Sequence, residues 1–216
     1  MKPIEIVALY VGKPVTLRVQ ELEVATGIGK QLVADSVWLS FERLAGDDVA
    51  NTKYHGGEAR TVCVYPQEHY AHWEQEFGVE LTPGAFGENL TVRGLTEEDV
   101  CIGDTFQLGE AVVQVTQARI PCGTIDLYNQ LPGLFRQTAV QAKSGYFFRT
   151  VQEGAIARDS ELRLLERDPH GVTVRFCLQT WYHDQDNREA IQRILAVPAL
   201  ADNWRGMLQR QLDALQ

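Results

Sequence analysis

The stretch from Ile102 to Gly123, IGDTFQLGEAVVQVTQARIPCG, carries the reading of the fold. Ile102-Gly103-Asp104 is turn chemistry, and Val112–Thr116 is a run of β-branched residues that reads as a strand. Gln117-Ala118-Arg119-Ile120-Pro121-Cys122-Gly123 then leaves that strand with a cysteine fixed by a preceding proline. Similar runs of Val, Ile, Thr and aromatic residues lie on both sides, at Ile4–Val11, Thr16–Val24, Ser36–Phe41, Thr61–Tyr65, Asn89–Val92, Tyr146–Val151 and Glu161–Leu165. Turns such as Ala25-Thr26-Gly27 and Leu44-Ala45-Gly46-Asp47 separate them. Many short strands with few long helical patterns predict a mainly β fold, a barrel or a sandwich.

Two helices interrupt the strands. One follows Pro66, where Tyr70, Trp73 and Phe77 recur at i, i+3 and i+7 and share a face. Another spans about Pro132 to Lys143 and stops before Gly145. After Asp168-Pro169-His170-Gly171 the apolar period lengthens. Val172–Tyr182, Asn187–Ala196 and Ala201–Leu215 read as three short helices, the last with Trp204, Met207, Leu208 and Leu212 apolar. The expected organisation is a β domain over residues 1–166 and a three-helix unit over 167–216.

The chain has 216 residues, 44% hydrophobic and 23% charged, an ordinary composition for a domain that buries its own core without disulfides or structural metals. Its net charge of −9, from 20 basic and 29 acidic residues, repels a phosphate backbone, so nucleic-acid partners are not expected. A local basic pocket can still hold a small anion. Met1–Ile6 lacks the apolar stretch of a signal peptide, and no segment is apolar over the roughly 20 residues that span a bilayer. A cytoplasmic location with reduced thiols is expected, with no membrane partner. The four cysteines, at 63, 101, 122 and 177, have no CxxC spacing, which argues against a zinc cluster.

Three clusters carry candidate chemistry. In Lys53-Tyr54-His55-Gly56-Gly57-Glu58-Ala59-Arg60, two glycines let the backbone approach a ligand, Lys53 and Arg60 add positive charge, and His55 can move protons near neutral pH. The plain alternative is a Gly-Gly turn before a strand. In Pro83-Gly84-Ala85-Phe86-Gly87-Glu88-Asn89-Leu90, Glu88 and Asn89 offer donors and acceptors suited to a heterocycle edge, or the segment is simply a turn. In the third cluster, Arg119 beside Cys122 favours thiolate, the form that attacks or ligates. Cys63, Cys101 and Cys177 read as small buried hydrophobes. His69 and His72, three apart, read as a solvated helix face, and His170 and His183 as turn and helix-end residues.

The ordered set of Gly46-Asp47, His55-Gly56-Gly57, Phe86-Gly87-Glu88-Asn89-Leu90, Gly103-Asp104 and Arg119-Ile120-Pro121-Cys122 resembles the MOSC-domain family across nearly the whole chain. The tail, with Val197-Pro198-Ala199-Leu200 and Trp204, is similar to the three-helix extension of YiiM-like members. This resemblance implies a β-barrel-like domain binding the molybdenum cofactor (molybdopterin). It implies reduction of N-hydroxylated compounds, such as hydroxylamines and 6-hydroxylaminopurine, to amines as a detoxification. Cys122 would ligate molybdenum as thiolate, with His55 and Lys53 as the other catalytic residues. Gly56, Gly57, Arg60, Phe86, Gly87, Glu88, Asn89 and Arg119 would hold the cofactor, and no pyridoxal phosphate binding is expected. The chain departs from the family pattern in two places. Asn51-Thr52 stands where members often carry an acid, and Gly123-Thr124 stands where an aromatic–Lys pair often follows the cysteine.

The chain has no GxGxxG fingerprint and no iron–sulfur spacing, so electrons are expected from a separate flavin-dependent reductase. A homodimer through an exposed face of the tail is compatible with the pattern. Two other readings use the same residues: a non-catalytic cofactor or sulfur carrier with a reactive Cys122, and a cysteine-dependent hydrolase with Cys122 as nucleophile and His55 as base.

Overall fold

In chain order the elements are β1 (Glu5–Val11), β2 (Val15–Val19), β3 (Leu22–Thr26), β4 (Gln31–Leu32), β5 (Val37–Leu39), β6 (Val62–Pro66), α1 (Glu68–Phe77) and β7 (Leu90–Arg93). They continue with β8 (Thr105–Leu108), β9 (Ala111–Ala118), α2 (Thr124–Asn129), α3 (Leu134–Val140), β10 (Tyr146–Gln152), β11 (Gly154–Ile156) and β12 (Leu162–Glu166). Three helices close the chain: α4 (Val174–His183), α5 (Arg188–Leu195) and α6 (Asp202–Ala214). This computed structural model describes residues 4–53 and 55–215. Tyr54, in the first candidate cluster, and the N-terminal Met1-Lys2-Pro3 lie outside the described residues.

Eight strands form one mixed sheet in the order β12-β8-β9-β10-β6-β7-β1-β4, which curls into a half-barrel. Among the described residues, only β6 and β7 pair in parallel, joined through the crossover helix α1, as a parallel pair requires. Alternation sets the inner face: Phe106 and Leu108 from β8, Val113 and Val115 from β9, and Tyr146 and Phe148 from β10 are all buried. Leu178, Ile191, Ile194, Trp204 and Leu208 of the last three helices join that same core, so one apolar cluster runs from the sheet into the bundle. A second cluster, of Tyr65, Tyr70, Trp73, Phe86, Ile125 and Leu134, lies under the first three helices. The mainly β fold with a three-helix tail is thus present as expected.

The three tail helices begin and end within two residues of the predicted spans. Thr173 caps α4 by accepting from the Phe176 N–H at 3.0 Å, and Asn187 caps α5 by accepting from Ala190 at 2.9 Å. Helix α1 stops at Gly78, whose φ of 68° turns the chain so that the Val79 N–H also reaches the Glu74 carbonyl, at 3.2 Å.

Three local expectations are corrected. Thr16–Val24 is a hairpin, not one strand: β2 and β3 pair from Val15↔Thr26 to Val19↔Leu22 and turn at Gln20, which takes a left-handed φ of 54° without a glycine signal. Strand β8 and helix α2 were not anticipated, because segments of four and six residues are too short to display a period. His69 is not on a solvated face: it is buried, and its Nε2 lies 2.6 Å from the Glu97 carboxylate, which also accepts the Gly145 N–H. Among the described residues, no helix is long and apolar enough to cross a membrane.

Candidate active site

Strand β9 ends at Ala118, and the chain turns through Arg119, Ile120 and Pro121 to deliver Cys122 at the start of α2. Two contacts fix that exit. The Arg119 N–H donates to the Gly145 carbonyl at 3.0 Å, and the Ser144 hydroxyl donates to the Arg119 carbonyl at 2.7 Å. Cys122 is half-buried, whereas Cys63, Cys101 and Cys177 are buried. Burial pushes the Cys122 thiol up, but hydrogen bonds from His55 and from the hydroxyl and backbone of Thr124, with the nearby Arg119 charge, outweigh it and bring its pKa down to about 6. Thr124 thus stabilises the thiolate through both its hydroxyl and its backbone. By contrast, burial, with a further push from Cys101, drives the Cys177 thiol far up.

Cys122 opens onto a cavity of about 640 Å³ between the loops of the half-barrel and α6. His55, Gly56, Arg60, Phe86, Gly87, Asn89 and Arg119, seven of the expected cofactor or catalytic residues, share this wall with it. The loop carrying His55 is held by Asn51, whose side chain accepts the Lys53 N–H at 3.1 Å and whose carbonyl accepts the His55 N–H at 2.9 Å. Gly56 and Gly57 have φ of 72° and 88°, a region costly for other residues, so the double glycine is what lets the loop fold back. Arg60 returns across the turn and donates from Nε to the Gly56 carbonyl at 2.8 Å.

Lys53, Gly57 and Glu88 do not line the cavity. Lys53 is exposed. Glu88 is wholly buried and accepts from the Tyr70 hydroxyl at 2.5 Å, the Thr91 hydroxyl at 2.9 Å and the Phe86 N–H at 3.2 Å. Asn89 reaches the wall, but its amide is committed: Oδ1 accepts the Cys63 N–H, and Nδ2 donates to the Tyr10 carbonyl and to Asp47. Asn89 thus ties β1 to β6, and Glu88 ties α1 to β7.

Arg119 is the most informative neighbour. Its Nη2 donates to the Phe86 carbonyl at 2.5 Å, while Nη1 is buried without a partner among the described residues. Burial works against its charge, but Cys63, Cys122 and Glu88 outweigh it and raise its pKa. The Gln117 Oε1, also on the cavity wall, is likewise buried and unpartnered. Unpaired buried groups cost about 1–3 kcal/mol each, so they mark a place shaped for something else to bind.

Several wall residues were not picked out from the sequence. Lys30 forms a buried ion pair with Asp47, which also accepts the Gly12 N–H at 2.9 Å. Nothing around Lys30 signals this, since its partner lies seventeen residues away. Asp47 carried a signal only within the Gly46-Asp47 motif. Cys63 also faces the cavity while buried, and α6 contributes Asn203, Trp204, Met207 and Arg210. Among the described residues, no group of three His, Cys, Asp or Glu side chains forms a metal-ligand cluster.

Comparison with known proteins agrees with this arrangement. The MOSC domain family model matches residues 51–163, and the model for the YiiM-like, 3-alpha helix domain matches residues 172–214. The chain is 41% identical over 210 residues to the uncharacterized protein YflK of Bacillus subtilis, covering 97% of this chain and 95% of that one. The crystal structure of YiiM from Geobacillus stearothermophilus superposes with a TM-score of 0.83 at 37% identity, covering 97% of this chain and all of that one. A protein named reductase from Gibberella moniliformis is 33% identical over 149 residues, 67% of this chain and 26% of its own length. The chain belongs to the MOSC-domain family, among its YiiM-like members.

Proposed function

We propose that this protein is a molybdenum-cofactor-dependent oxidoreductase that reduces N-hydroxylated compounds to amines, with Cys122 as the metal-binding thiolate. The observation that carries the reading is a thiol held near pKa 6 on the wall of a cavity where the Arg119 Nη1 and the Gln117 Oε1 are buried without a partner among the described residues. The similarity to a protein named reductase supports it, as does membership of the MOSC family.

The residues fit the cofactor. A metal that arrives already held by an organic cofactor asks the protein for one soft ligand rather than a cluster, and Cys122 supplies it. The Arg119 Nη1 is a free donor for a phosphate or a pterin oxygen, and the Gln117 Oε1 is a free acceptor for a pterin N–H. When bound, the cofactor supplies two-electron chemistry with a place for the departing oxygen. The overall change, RNHOH + 2e⁻ + 2H⁺ → RNH₂ + H₂O, then leaves the protein to bind, orient and protonate.

His55 suits the proton role. It is exposed to solvent on one side and hydrogen-bonded to Cys122 on the other, so it can draw protons from water and release them at the reacting nitrogen or oxygen. Lys53, exposed and off the cavity lining, is the weaker candidate for that step. Electrons come from a separate flavin-dependent reductase in this reading, and reduced thiols suit a cytoplasmic setting.

Protein expressed in a host that makes the cofactor is expected to carry molybdenum and a pterin, and to reduce N-hydroxylated substrates with a chemical electron donor. Cys122→Ala is expected to abolish that turnover. Wild-type rates in Cys122→Ala would remove the thiolate from the mechanism. Bound molybdenum with no turnover on any N-hydroxylated substrate would favour a carrier.

A further inference from the structure

The family match for the β region ends at residue 163, yet one wall of the cavity comes from α6, within the separate three-helix match. Asn203, Met207 and Arg210 stand at i, i+4 and i+7, a single stripe of that helix, and all three line the cavity. Trp204 lines it too. It is wholly buried, and its indole N–H is unpartnered among the described residues. The groups that hold the thiolate all belong to the half-barrel, so α6 faces whatever approaches from the other side.

Arg210 differs from the other arginines of the tail. Arg175 pairs with Glu98 at 3.1 Å, and the Arg188 guanidinium donates to the Leu215 carbonyl at 2.7 Å. Arg193 donates to the Gly171 carbonyl and lies over the Phe176 ring, and Arg205 donates to the Leu195 and Val197 carbonyls. Each of these ties the tail to itself or, for Arg175, to the β region. Among the described residues, Arg210 makes no hydrogen bond or ion pair, and it is exposed at the edge of the cavity. A guanidinium without a structural duty, at the rim of a site in a chain of net charge −9, is placed to meet an anion.

We propose that α6 is the substrate-selecting wall: the Trp204 N–H binds an acceptor on the substrate, Met207 packs on its ring, and Arg210 pairs with an oxyanion substituent. The substrate class is an N-hydroxylated aromatic ring that carries a phosphate or a carboxylate. This inference rests on the reductase reading for the reaction, but its claim of anion recognition does not. Met207 supplies an unbranched, polarisable side chain that accommodates rings of different outline. Arg210 can pair with either oxyanion in a forked geometry, which Lys cannot reproduce.

The test compares matched pairs on cofactor-loaded protein: 6-hydroxylaminopurine against its ribonucleoside 5′-monophosphate, and phenylhydroxylamine against its 4-carboxylate. The two pairs separate phosphate from carboxylate recognition. Wild type is expected to show the higher kcat/KM on the charged member of at least one pair. Arg210→Gln should lower that value roughly fivefold and leave the uncharged member unchanged, as for an exposed ion pair. Arg210→Lys should recover part of the loss, and the molybdenum content of all three proteins should be equal. A fall on charged and uncharged substrates alike, or a loss of molybdenum in Arg210→Gln, would overturn the proposal by placing Arg210 on the cofactor or the fold. No dependence on Arg210 at all would overturn it as well. If loaded wild type reduces none of the four, the reductase reading fails. Anion recognition is then read from tryptophan fluorescence on titration with adenosine monophosphate and adenosine. Equal binding of the two, or equal binding of the monophosphate by wild type and Arg210→Gln, overturns it.

Discussion

Around Cys122 two donors and one charge of different origin converge: a histidine from the Gly-Gly loop, a threonine from the first turn of α2, and the guanidinium charge of Arg119 just past β9. The iodoacetamide alkylation rate of wild type should therefore rise with a midpoint near pH 6, and both His55→Ala and Thr124→Val should move that midpoint upward. The same shift has a stability consequence. A thiol that ionises at about 6 when folded and near 9 when unfolded contributes in full above pH 9, and the contribution is lost as pH falls through 6. The urea midpoint should then gain more between pH 6 and pH 9 in wild type than in Cys122→Ala, and an equal gain would refute the shift. Glu88 belongs at this scale too. With three donors on a fully buried carboxylate, Glu88→Gln should cost about 1–3 kcal/mol in chemical denaturation of cofactor-free protein. An effect seen only with cofactor bound would instead make it a ligand contact.

At the level of elements, α4 and α5 each rest on one side-chain cap, and α6 has none. Thr173→Ala should cost about 1 kcal/mol by leaving the Phe176 N–H without its acceptor, read as a lower denaturation midpoint at unchanged slope. The helix bounds were legible from the apolar periods, to within two residues, but the two caps were not singled out. Neither was the hairpin of β2 and β3. A turn at Gln20-Glu21 uses neither glycine nor asparagine, and its cross-strand partners are visible only once the chain has folded back. His69 shows the same limit. Its helical face is a matter of period, but its burial comes from Glu97, which lies beyond β7.

On the scale of the whole molecule, the sheet and the last three helices share one apolar cluster. Trp204 and Leu208 are wholly buried in it, and the Ala201 N–H donates to the Thr116 carbonyl of β9. Truncation after Glu166 should therefore expose Val115, Phe148 and their neighbours rather than release an independent barrel. The expected result is dye-binding, loosely packed or aggregated protein by near-ultraviolet circular dichroism and ANS fluorescence. A truncated chain with a sharp, cooperative melt would show that the helices are dispensable for folding.

By itself the sequence determined the β-rich class, the three-helix tail and the singling out of Cys122. Each rests on local information: a period, a turn residue, or a proline and an arginine beside a cysteine. It also supplied His55, Arg60 and Arg119, which the fold gathers at the same cavity. Only the tertiary structure decided what those residues face. It turned Glu88 inward between α1 and β7 and the Asn89 amide between β1 and β6, paired Lys30 with Asp47, and left Lys53 off the cavity lining. It also set Thr124 on the thiolate and brought α6 across the cavity from the far end of the chain. Contacts of that kind depend on how distant segments pack, and no local pattern encodes them.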